Sequence, residues 1–305
     1  MAAKITRTRG VCYFNHGTKH LARLVFSVWS LRKHFAGNVT LLDTGTSGGV
    51  VEKIAADERL EIDVERIAIK QRKRNTCYVA KAGLWEFSPY QTTLLIDADT
   101  LPVVDPSLLF DECEAADSGG VVFTRFSDWN TQGDIMRGRI ERWREVHVKS
   151  NDERFLRSLD VPALVEASLA KPHPAINTGI VAFASQSAFL RDWRRVTEAG
   201  EHLPFTDELA AQILLRKHAH TLVGDRWNCS PIYGRSRGHA AIWHAHGSKH
   251  LRRADGRGSE GHAIWWPVIA ECWRENAGRL REWAPAGDEA LANNLDAIEQ
   301  AAGVG

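Results

Sequence analysis

The chain has 305 residues, of which 44% are hydrophobic and 25% are charged, and its formal net charge at pH 7 is +1. These values are typical of a globular protein with one large or two small domains, and the balanced charge argues against a nucleic-acid binder. The five cysteines stand singly, so neither a disulfide framework nor a thiolate zinc site is indicated, and a cytoplasmic location is expected. No export signal and no apolar segment of membrane-spanning length are recognised.

Residues 11 to 67 alternate between short apolar strands and amphipathic helices. Strands are predicted at 11–14, 39–42 and 62–67, and helices at 21–33 and 50–56. This alternation predicts an α/β fold whose mostly parallel, doubly wound sheet is flanked by helices. Asn15 and His16 follow the first strand, so we expect them at the carboxyl edge of the sheet, where open α/β sheets bind ligands.

The next segment leads into the most informative stretch of the chain. Residues 76–87 are predicted to form a helix that carries Lys81. Residues 93–96 form an apolar run typical of a strand buried on both faces, and Asp97 and Asp99 follow it directly. Lys81 is therefore expected within reach of two carboxylates at the carboxyl end of a central strand.

Two carboxylates one residue apart repel each other unless a cation lies between them or one of them is protonated. A hard metal ion that also carries phosphate oxygens fits such a pair best. Both the D-x-D motif of metal-dependent nucleotide-sugar transferases and the aspartyl loop of haloacid-dehalogenase-type phosphatases use it. The phosphatase interpretation also needs a late G-D-x-x-x-D pair, and the segment that begins at Gly224 places Cys229 where the second aspartate is required. The transferase interpretation is favoured.

Residues 126–174 carry a charged helical pattern and one or two further short helices, interpreted as an acceptor-side insertion, with a solvated charged face as the alternative. A strand is predicted at 175–184, followed by helices at 186–196 and 205–216. Asp207 and Glu208 fall at the amino end of the last helix, where capping is their alternative role.

The domain prediction places one nucleotide-sugar transferase domain at residues 1–250. Residues 251–305 are predicted to form a carboxyl-terminal helical segment with four tryptophans. We expect this segment to pack on the domain or on a second subunit of a homo-oligomer, because its glutamates interrupt any cationic face suited to a membrane surface.

Several motifs recur in an order that resembles glycosyltransferase family eight, the group of glycogenin and bacterial galactosyltransferases. They are Lys81, Trp85, Tyr90, Asp97 to Leu101 and Leu109-Phe110, then Ile176 to Ile180, Asp207-Glu208, Asn228, and His244 to Lys249. The resemblance covers about residues 10 to 250. It implies a GT-A fold, a uridine-diphosphate (UDP) sugar donor, a divalent cation and transfer of a hexose, with retention of configuration, to a carbohydrate or other hydroxyl acceptor.

The same resemblance implies roles for individual residues. For the metal it implies Asp97, Asp99 and His244, and the imidazole favours Mn²⁺, with Mg²⁺ as the alternative. For donor binding it implies Asn15, His16, Lys81, Asp97, Ala98, Asp99, Asn177, Gly247 and Lys249. For catalysis it implies Lys81, Asp207 and Glu208. Two departures stand out: Glu208 replaces the amide usual in the family, and the last element is one residue short before Lys249.

Three alternatives stay open at the level of sequence. His244 ends the apolar run 240–243 at a strand end on the ligand edge and is the predicted metal ligand, with His246 as the alternative, because both share a face if the strand continues. Retention is compatible with double displacement through a carboxylate such as Glu208, or with front-face attack in which the acceptor hydroxyl gives its proton to the leaving phosphate. A non-catalytic relative that only binds a nucleotide sugar is the third alternative.

Overall fold

A computed structural model describes residues 5–45, 49–69, 76–115, 117–126, 129–147, 159–171, 174–201, 203–231, 236–245, 260–284 and 288–302. The strands are β1 (Arg7–Asn15), β2 (Val39–Asp43), β3 (Asp63–Arg66), β4 (Tyr90–Ile96), β5 (Thr100–Pro102), β6 (Val121–Arg125), β7 (Ile176–Ala184), β8 (Thr221–Val223) and β9 (Ile242–His244). The helices are α1 (Leu21–Arg32), α2 (Val50–Ala55), α3 (Thr76–Ala82), α4 (Ser107–Glu114), α5 (Trp129–His147), α6 (Val161–Ala170), α7 (Ala188–Ala199), α8 (Thr206–Leu214), α9 (Glu260–Trp283) and α10 (Glu289–Ala302).

A seven-stranded sheet with the order β3-β2-β1-β4-β7-β6-β8 forms the centre of the fold. In the row β3-β2-β1-β4 each strand pairs in parallel with the next, and β6 and β8 also pair in parallel. Strand β7 runs antiparallel to both of its neighbours, β4 and β6. The predicted α/β class with a mostly parallel sheet flanked by helices is therefore confirmed. The alternating segments at 11–67 supply three of the seven strands, β1, β2 and β3, as expected from their pattern.

Strand β4 lies at the centre of the sheet, between β1 and β7. Six of its seven residues are buried, because helices cover both faces of the sheet. A continuous apolar strand is stable only where both of its faces are covered in this way. The strand ends at Ile96, and the next residue is Asp97. The predicted acid pair therefore leaves the sheet at the carboxyl end of its central strand.

The strand that ends in His244 belongs to a second, smaller sheet. Strand β9 pairs antiparallel with β5, and Thr100 stands opposite His244. The sequence predicts a strand end at His244 but not its pairing with β5, because the short apolar run 240–243 carries no sign of its partner. The short ribbon places His244 against the acid pair.

Helix α1 is buried around most of its circumference, because the sheet lies on one side and the carboxyl-terminal helices α9 and α10 lie on the other. Phe26 of α1 meets Trp273 of α9 edge to face, with ring centroids 6.4 Å apart, and Trp283 is also buried. The side chains of Trp265 and Trp266 lie outside the described residues. Among the described helices, none is long and apolar enough to cross a membrane.

The region predicted as an insertion contains helices α5 and α6, which pack on each other and on α8. Its acceptor-side role and the domain boundaries at 250 and 251 stay predictions.

Candidate functional site

Asp97, Asp99 and His244 come together at the carboxyl end of β4. Nε2 of His244 lies 3.1 Å from Oδ1 of Asp99 and 4.0 Å from Oδ2 of Asp97. One ligand atom from each of the three residues lies within 4.8 Å of the others. Among the described residues, this is the cluster that satisfies the geometry of a metal site.

Backbone hydrogen bonds hold the cluster in place. The Asp97 amide donates to the carbonyl of Gly179 at 2.8 Å, and the Ala245 amide donates to the carbonyl of Asp99 at 2.9 Å. The Thr100 hydroxyl donates to the carbonyl of Asp97 at 2.8 Å. The three candidate ligands are therefore positioned by hydrogen-bonded strands, β4, β7 and β9, and not by a mobile loop.

Each carboxylate has a basic neighbour. Nζ of Lys81, on α3, lies 2.7 Å from Oδ1 of Asp97, as its predicted position required. Arg23, on α1, lies 4.0 Å from Oδ2 of Asp99 and is buried. Burial raises the pKa of Asp97, and the nearby charge of Asp99 raises it further. Together these two effects outweigh the lowering effects of Lys81 and His244. Two acids thus share one confined, partly exposed volume.

Burial lowers the pKa of Lys81, but Asp97, Asp207 and Asp99 act in the opposite direction, and the net pKa lies above its ordinary value. Lys81 is therefore a cation held among carboxylates. A cation of this kind can also pair with the phosphate oxygens of a ligand.

The donor set suits a divalent cation. Two carboxylate oxygens and one imidazole nitrogen are a hard set with one softer ligand, which Mn²⁺ accepts well, and they leave coordination positions for ligand oxygens. The other nitrogen of His244, Nδ1, lies 2.8 Å from Oδ1 of Asn228, and metal-bound histidines are generally held in this way. The residues present therefore fit a metal ion.

A row of buried polar side chains continues behind His244. Nδ2 of Asn228 lies 2.9 Å from Oδ1 of Asn177, and Nδ2 of Asn177 lies 2.8 Å from Oε2 of Glu208. Nη1 of Arg139, on α5, donates to Oε1 of Glu208 at 2.6 Å. We call Arg139, Glu208, Asn177, Asn228 and His244 the polar chain.

Asp207 and Glu208 begin α8 and are both buried, so they are not exposed capping acids. Asp207 accepts a hydrogen bond from the Thr178 hydroxyl at 2.8 Å. Burial raises the pKa of Glu208 to about 7, with Arg139 opposing the rise. Each acid thus has a partner outside its own helix.

Gly179 on β7 allows His244 to approach the sheet. A Cβ atom at position 179 would stand 2.2 Å from Cε1 of His244 and 2.7 Å from Oδ1 of Asn177. Any larger residue would push the imidazole or the amide aside. The glycine of the N-[ST]-G strand is therefore needed for close packing at the site.

The predicted donor residues near β1 form a separate group. Nδ2 of Asn15 donates to Oδ1 of Asp43 at 2.6 Å, and Arg66 pairs with the other oxygen of Asp43. His16 is exposed, with Nδ1 3.1 Å from Oγ1 of Thr44. This group lies at the carboxyl ends of β1 and β2, on the same edge of the sheet as Asp97.

Ala98 lines a small cavity beside Asp99, together with Arg23 and residues of α9 and α10. Gly247 and Lys249, predicted for donor binding, lie outside the described residues, as does His246.

Sequence reasoning did not assign Arg23, Thr124 or Arg139 to the site. Arg23 had one visible signal, because it is a charged residue inside a helix whose other faces are mostly apolar. Thr124, which lies 2.8 Å from Nδ2 of Asn228, and Arg139 had no local signal. Their places depend on contacts between distant segments.

No family model and no curated protein matches the sequence. Solved structures do match. The galactosyltransferase LgtC, in complex with donor and acceptor sugar analogues, matches with a TM-score of 0.53 and 13% identity, over 87% of this chain and 99% of LgtC. The chain has a glycosyltransferase fold.

Two further glycosyltransferases support the same conclusion. The bifunctional glycosyltransferase WbbM matches with a TM-score of 0.56 and 13% identity over 90% of this chain, which spans 51% of the length of WbbM. Mouse xyloside xylosyltransferase 1 matches with a TM-score of 0.51 and 12% identity, over 79% of this chain and 97% of that one. The GT-A architecture is thus confirmed, while membership of family eight stays a prediction. The phosphatase alternative does not fit this fold.

Proposed function

We propose that the protein is a metal-dependent, retaining glycosyltransferase of family eight that moves a hexose from a UDP-sugar to the hydroxyl of a carbohydrate or other acceptor. The observation that carries the proposal is the convergence of Asp97, Asp99 and His244, with Lys81 beside them, at the carboxyl end of the central strand of a glycosyltransferase fold. Open α/β sheets bind their ligands at this edge.

Asp97, Asp99 and His244 would hold the cation, with Mn²⁺ favoured by the imidazole. When bound, the cation supplies neutralisation of the charge on the nucleoside diphosphate. Lys81 provides a second positive charge on the same side, and its carboxylate neighbours keep it protonated. Stabilisation of the charge that develops on the leaving group is the main task of such a site.

The contacts of Asp207 and Glu208 favour different roles for the two acids. Glu208 accepts a hydrogen bond on each carboxylate oxygen, from Arg139 and from Asn177, and this favours a supporting role over a nucleophilic one. Asp207, close enough to Lys81 to raise its pKa, is the candidate that binds the hydroxyls of the sugar. This assignment favours front-face attack, in which the leaving phosphate takes the proton of the acceptor hydroxyl, over double displacement.

Asn15 and His16, at the end of β1, are the candidates for contacts with the base or ribose, and Gly247 and Lys249 for contacts with the diphosphate. A cytoplasmic location and a homo-oligomeric state belong to the same proposal and rest on the sequence.

Thermal shift with nucleotides in the presence of Mn²⁺ tests the donor. We expect UDP to stabilise the protein only when Mn²⁺ is present, because binding to the native state raises its stability by mass action. Stabilisation by guanosine diphosphate with no effect of UDP would contradict the donor assignment. Hydrolysis of a UDP-hexose, measured with and without EDTA, then separates an enzyme from a relative that only binds the nucleotide sugar.

A further inference from the structure

We propose that Glu208 and Arg139 act through Asn177 and Asn228 to determine which nitrogen of His244 faces the metal, so that the insertion helix α5 supports metal binding from a distance. The inference rests on the proposed function, since it concerns the same metal site. It adds two positioning residues, Glu208 and Arg139, that do not contact the metal.

The polar chain is continuous, and it is buried except at Arg139, whose side chain is 28% exposed. Its links measure 2.6 Å from Arg139 to Glu208, 2.8 Å from Glu208 to Asn177, 2.9 Å from Asn177 to Asn228 and 2.8 Å from Asn228 to His244. Glu208, Asn177, Asn228 and His244 are each less than 9% exposed, so water cannot easily replace a lost partner.

The direction of each hydrogen bond follows from groups that can only donate. The amide N–H of Gly179 lies 2.8 Å from Oδ1 of Asn177, so this atom must be the oxygen, and Nδ2 must point to Glu208. Oδ1 of Asn177 therefore needs a donor from Asn228, which is Nδ2. Oδ1 of Asn228 is then left to accept a proton from Nδ1 of His244.

The consequence for His244 is specific. If Nδ1 carries the proton that bonds Asn228, the lone pair available to a metal is on Nε2, which is the nitrogen that faces Asp99 and Asp97. The guanidinium of Arg139 can only donate hydrogen bonds, so the oxygen of Glu208 that faces it must accept. Glu208 on one side and the amide of Gly179 on the other thus impose the same orientation on Asn177.

This arrangement explains why residue 208 is a carboxylate here. A glutamate accepts from Arg139 and Asn177 at once, whereas a glutamine has a single oxygen and would turn its NH₂ group toward one of the two donors. In the presence of Arg139, an amide at this position therefore leaves a buried donor facing another donor. The pair of Arg139 and Glu208 substitutes for the amide usual in the family.

A compensating pair of substitutions tests the inference. Asn177→Asp places a carboxylate oxygen against Oε2 of Glu208, and Glu208→Gln places an amide NH₂ against a donor. The double variant, Asn177→Asp with Glu208→Gln, restores a donor and an acceptor at every link and keeps the net charge. We expect each single variant to bind Mn²⁺ about 10-fold more weakly, at the lower end of the effect of residues that hold a metal ligand, and the double variant to regain wild-type affinity.

The position of the proton on His244 provides a readout that a merely structural effect would not move. In ¹⁵N-histidine spectra of the metal-free protein, with the signal assigned by its loss in His244→Gln, we expect Nδ1 to be protonated in the wild type and the double variant. In each single variant, repulsion between residues 177 and 208 should displace residue 177 from Asn228, whose amide can then turn, so Nδ1 of His244 should be partly deprotonated. Circular dichroism establishes that each variant is folded; if Asn177→Asp does not fold, Glu208→Gln alone still tests the inference, and unchanged affinity with an unchanged spectrum in that variant overturns it.

Glu166→Gln is the matched control. Glu166 also pairs with an arginine of α5, Arg144, at 3.5 Å, but both side chains are exposed. We expect no change in affinity or in the spectrum.

A simple charge effect would strengthen Mn²⁺ binding in Asn177→Asp, so a gain there, or unchanged affinity in both single variants, overturns the inference. Failure of the wild type to bind Mn²⁺ overturns the proposed function instead, and the metal-free spectra still test the polar chain.

Discussion

The front and the back of the candidate site differ in how deeply their polar side chains are buried. The front consists of Lys81, Asp97 and Asp99, whose side chains are 11%, 32% and 21% exposed. The back consists of Asn177, Glu208 and Asn228, which are buried and hydrogen-bonded to one another and to their neighbours. The front thus retains groups that can bind a ligand, whereas the back holds the front in position.

This difference indicates how the site divides its work. Buried side chains that are hydrogen-bonded to one another have little freedom to move, so the orientation of the metal ligand is expected to come from the back. Substitutions at the front should therefore reduce activity without loss of stability, and substitutions at the back should affect both.

The largest effect is expected for Asp99→Asn at the front. Loss of one of two carboxylate ligands should reduce transfer or donor hydrolysis by at least about 10²- to 10³-fold, because charge on the leaving group is no longer neutralised. The melting temperature should not fall, since Asp99 is partly exposed and repels Asp97. Initial rates with Mn²⁺ and a thermal melt measure the two effects. Full wild-type activity in EDTA would contradict metal dependence.

His244→Ala should weaken Mn²⁺ binding more than His246→Ala. His244 faces Asp99 and is held from behind by Asn228, as a metal ligand requires. A residue that only supports a ligand typically costs about 10- to 100-fold in metal affinity, and we expect a greater loss at position 244. Titration of Mn²⁺ in the presence of UDP measures both variants, and a greater loss in His246→Ala would reverse the assignment.

Gly179→Ala sharpens the comparison from the back. The added Cβ would overlap His244, so we expect unfolding to become easier by about 1–3 kcal/mol and Mn²⁺ to bind about 10-fold more weakly. Gly138→Ala is the control, because a Cβ at position 138 on α5 meets nothing within 4 Å. It should leave metal binding unchanged and stabilise the helix slightly. Equal behaviour of the two variants in urea unfolding and Mn²⁺ titration would contradict the role of Gly179.

The smallest effect is a pH dependence of stability at the back. The pKa of Glu208 is raised from 4.5 to about 7 by burial and by Asp207, against the opposing effects of Arg139 and Lys81. A raised pKa means that the native state binds the proton more tightly, so this contribution to stability is complete below about pH 4.5 and is lost as the pH rises through about 7. The melting temperature of the wild type, relative to Glu208→Gln, should therefore fall between pH 5 and pH 8. A flat difference over this range would show that the pKa is not raised.

The sequence alone determined the central elements of the site. The apolar run 93–96 predicted β4, because only a strand covered on both faces is stable with that pattern, and Asp97 and Asp99 had to follow at its carboxyl end. Lys81 lies beside Asp97 and His244 lies beside Asp99, at the positions expected for them, whereas the roles of Lys81, Asp207 and Glu208 in catalysis stay predictions. The signals for β4, the acid pair and the helix of Lys81 are local, since each depends on a few neighbouring residues, whereas the role of His244 came from the family resemblance.

The tertiary structure decided which of these residues meet. The hydrogen bonds of the polar chain join residues 16, 31, 51 and 69 positions apart, and His244 lies 145 positions from Asp99. No periodicity or capping rule acts over such separations, because local conformational preferences extend only a few residues along the chain. The pairing of β9 with β5, the burial of Arg23 and the partnership of Arg139 with Glu208 thus follow from packing alone.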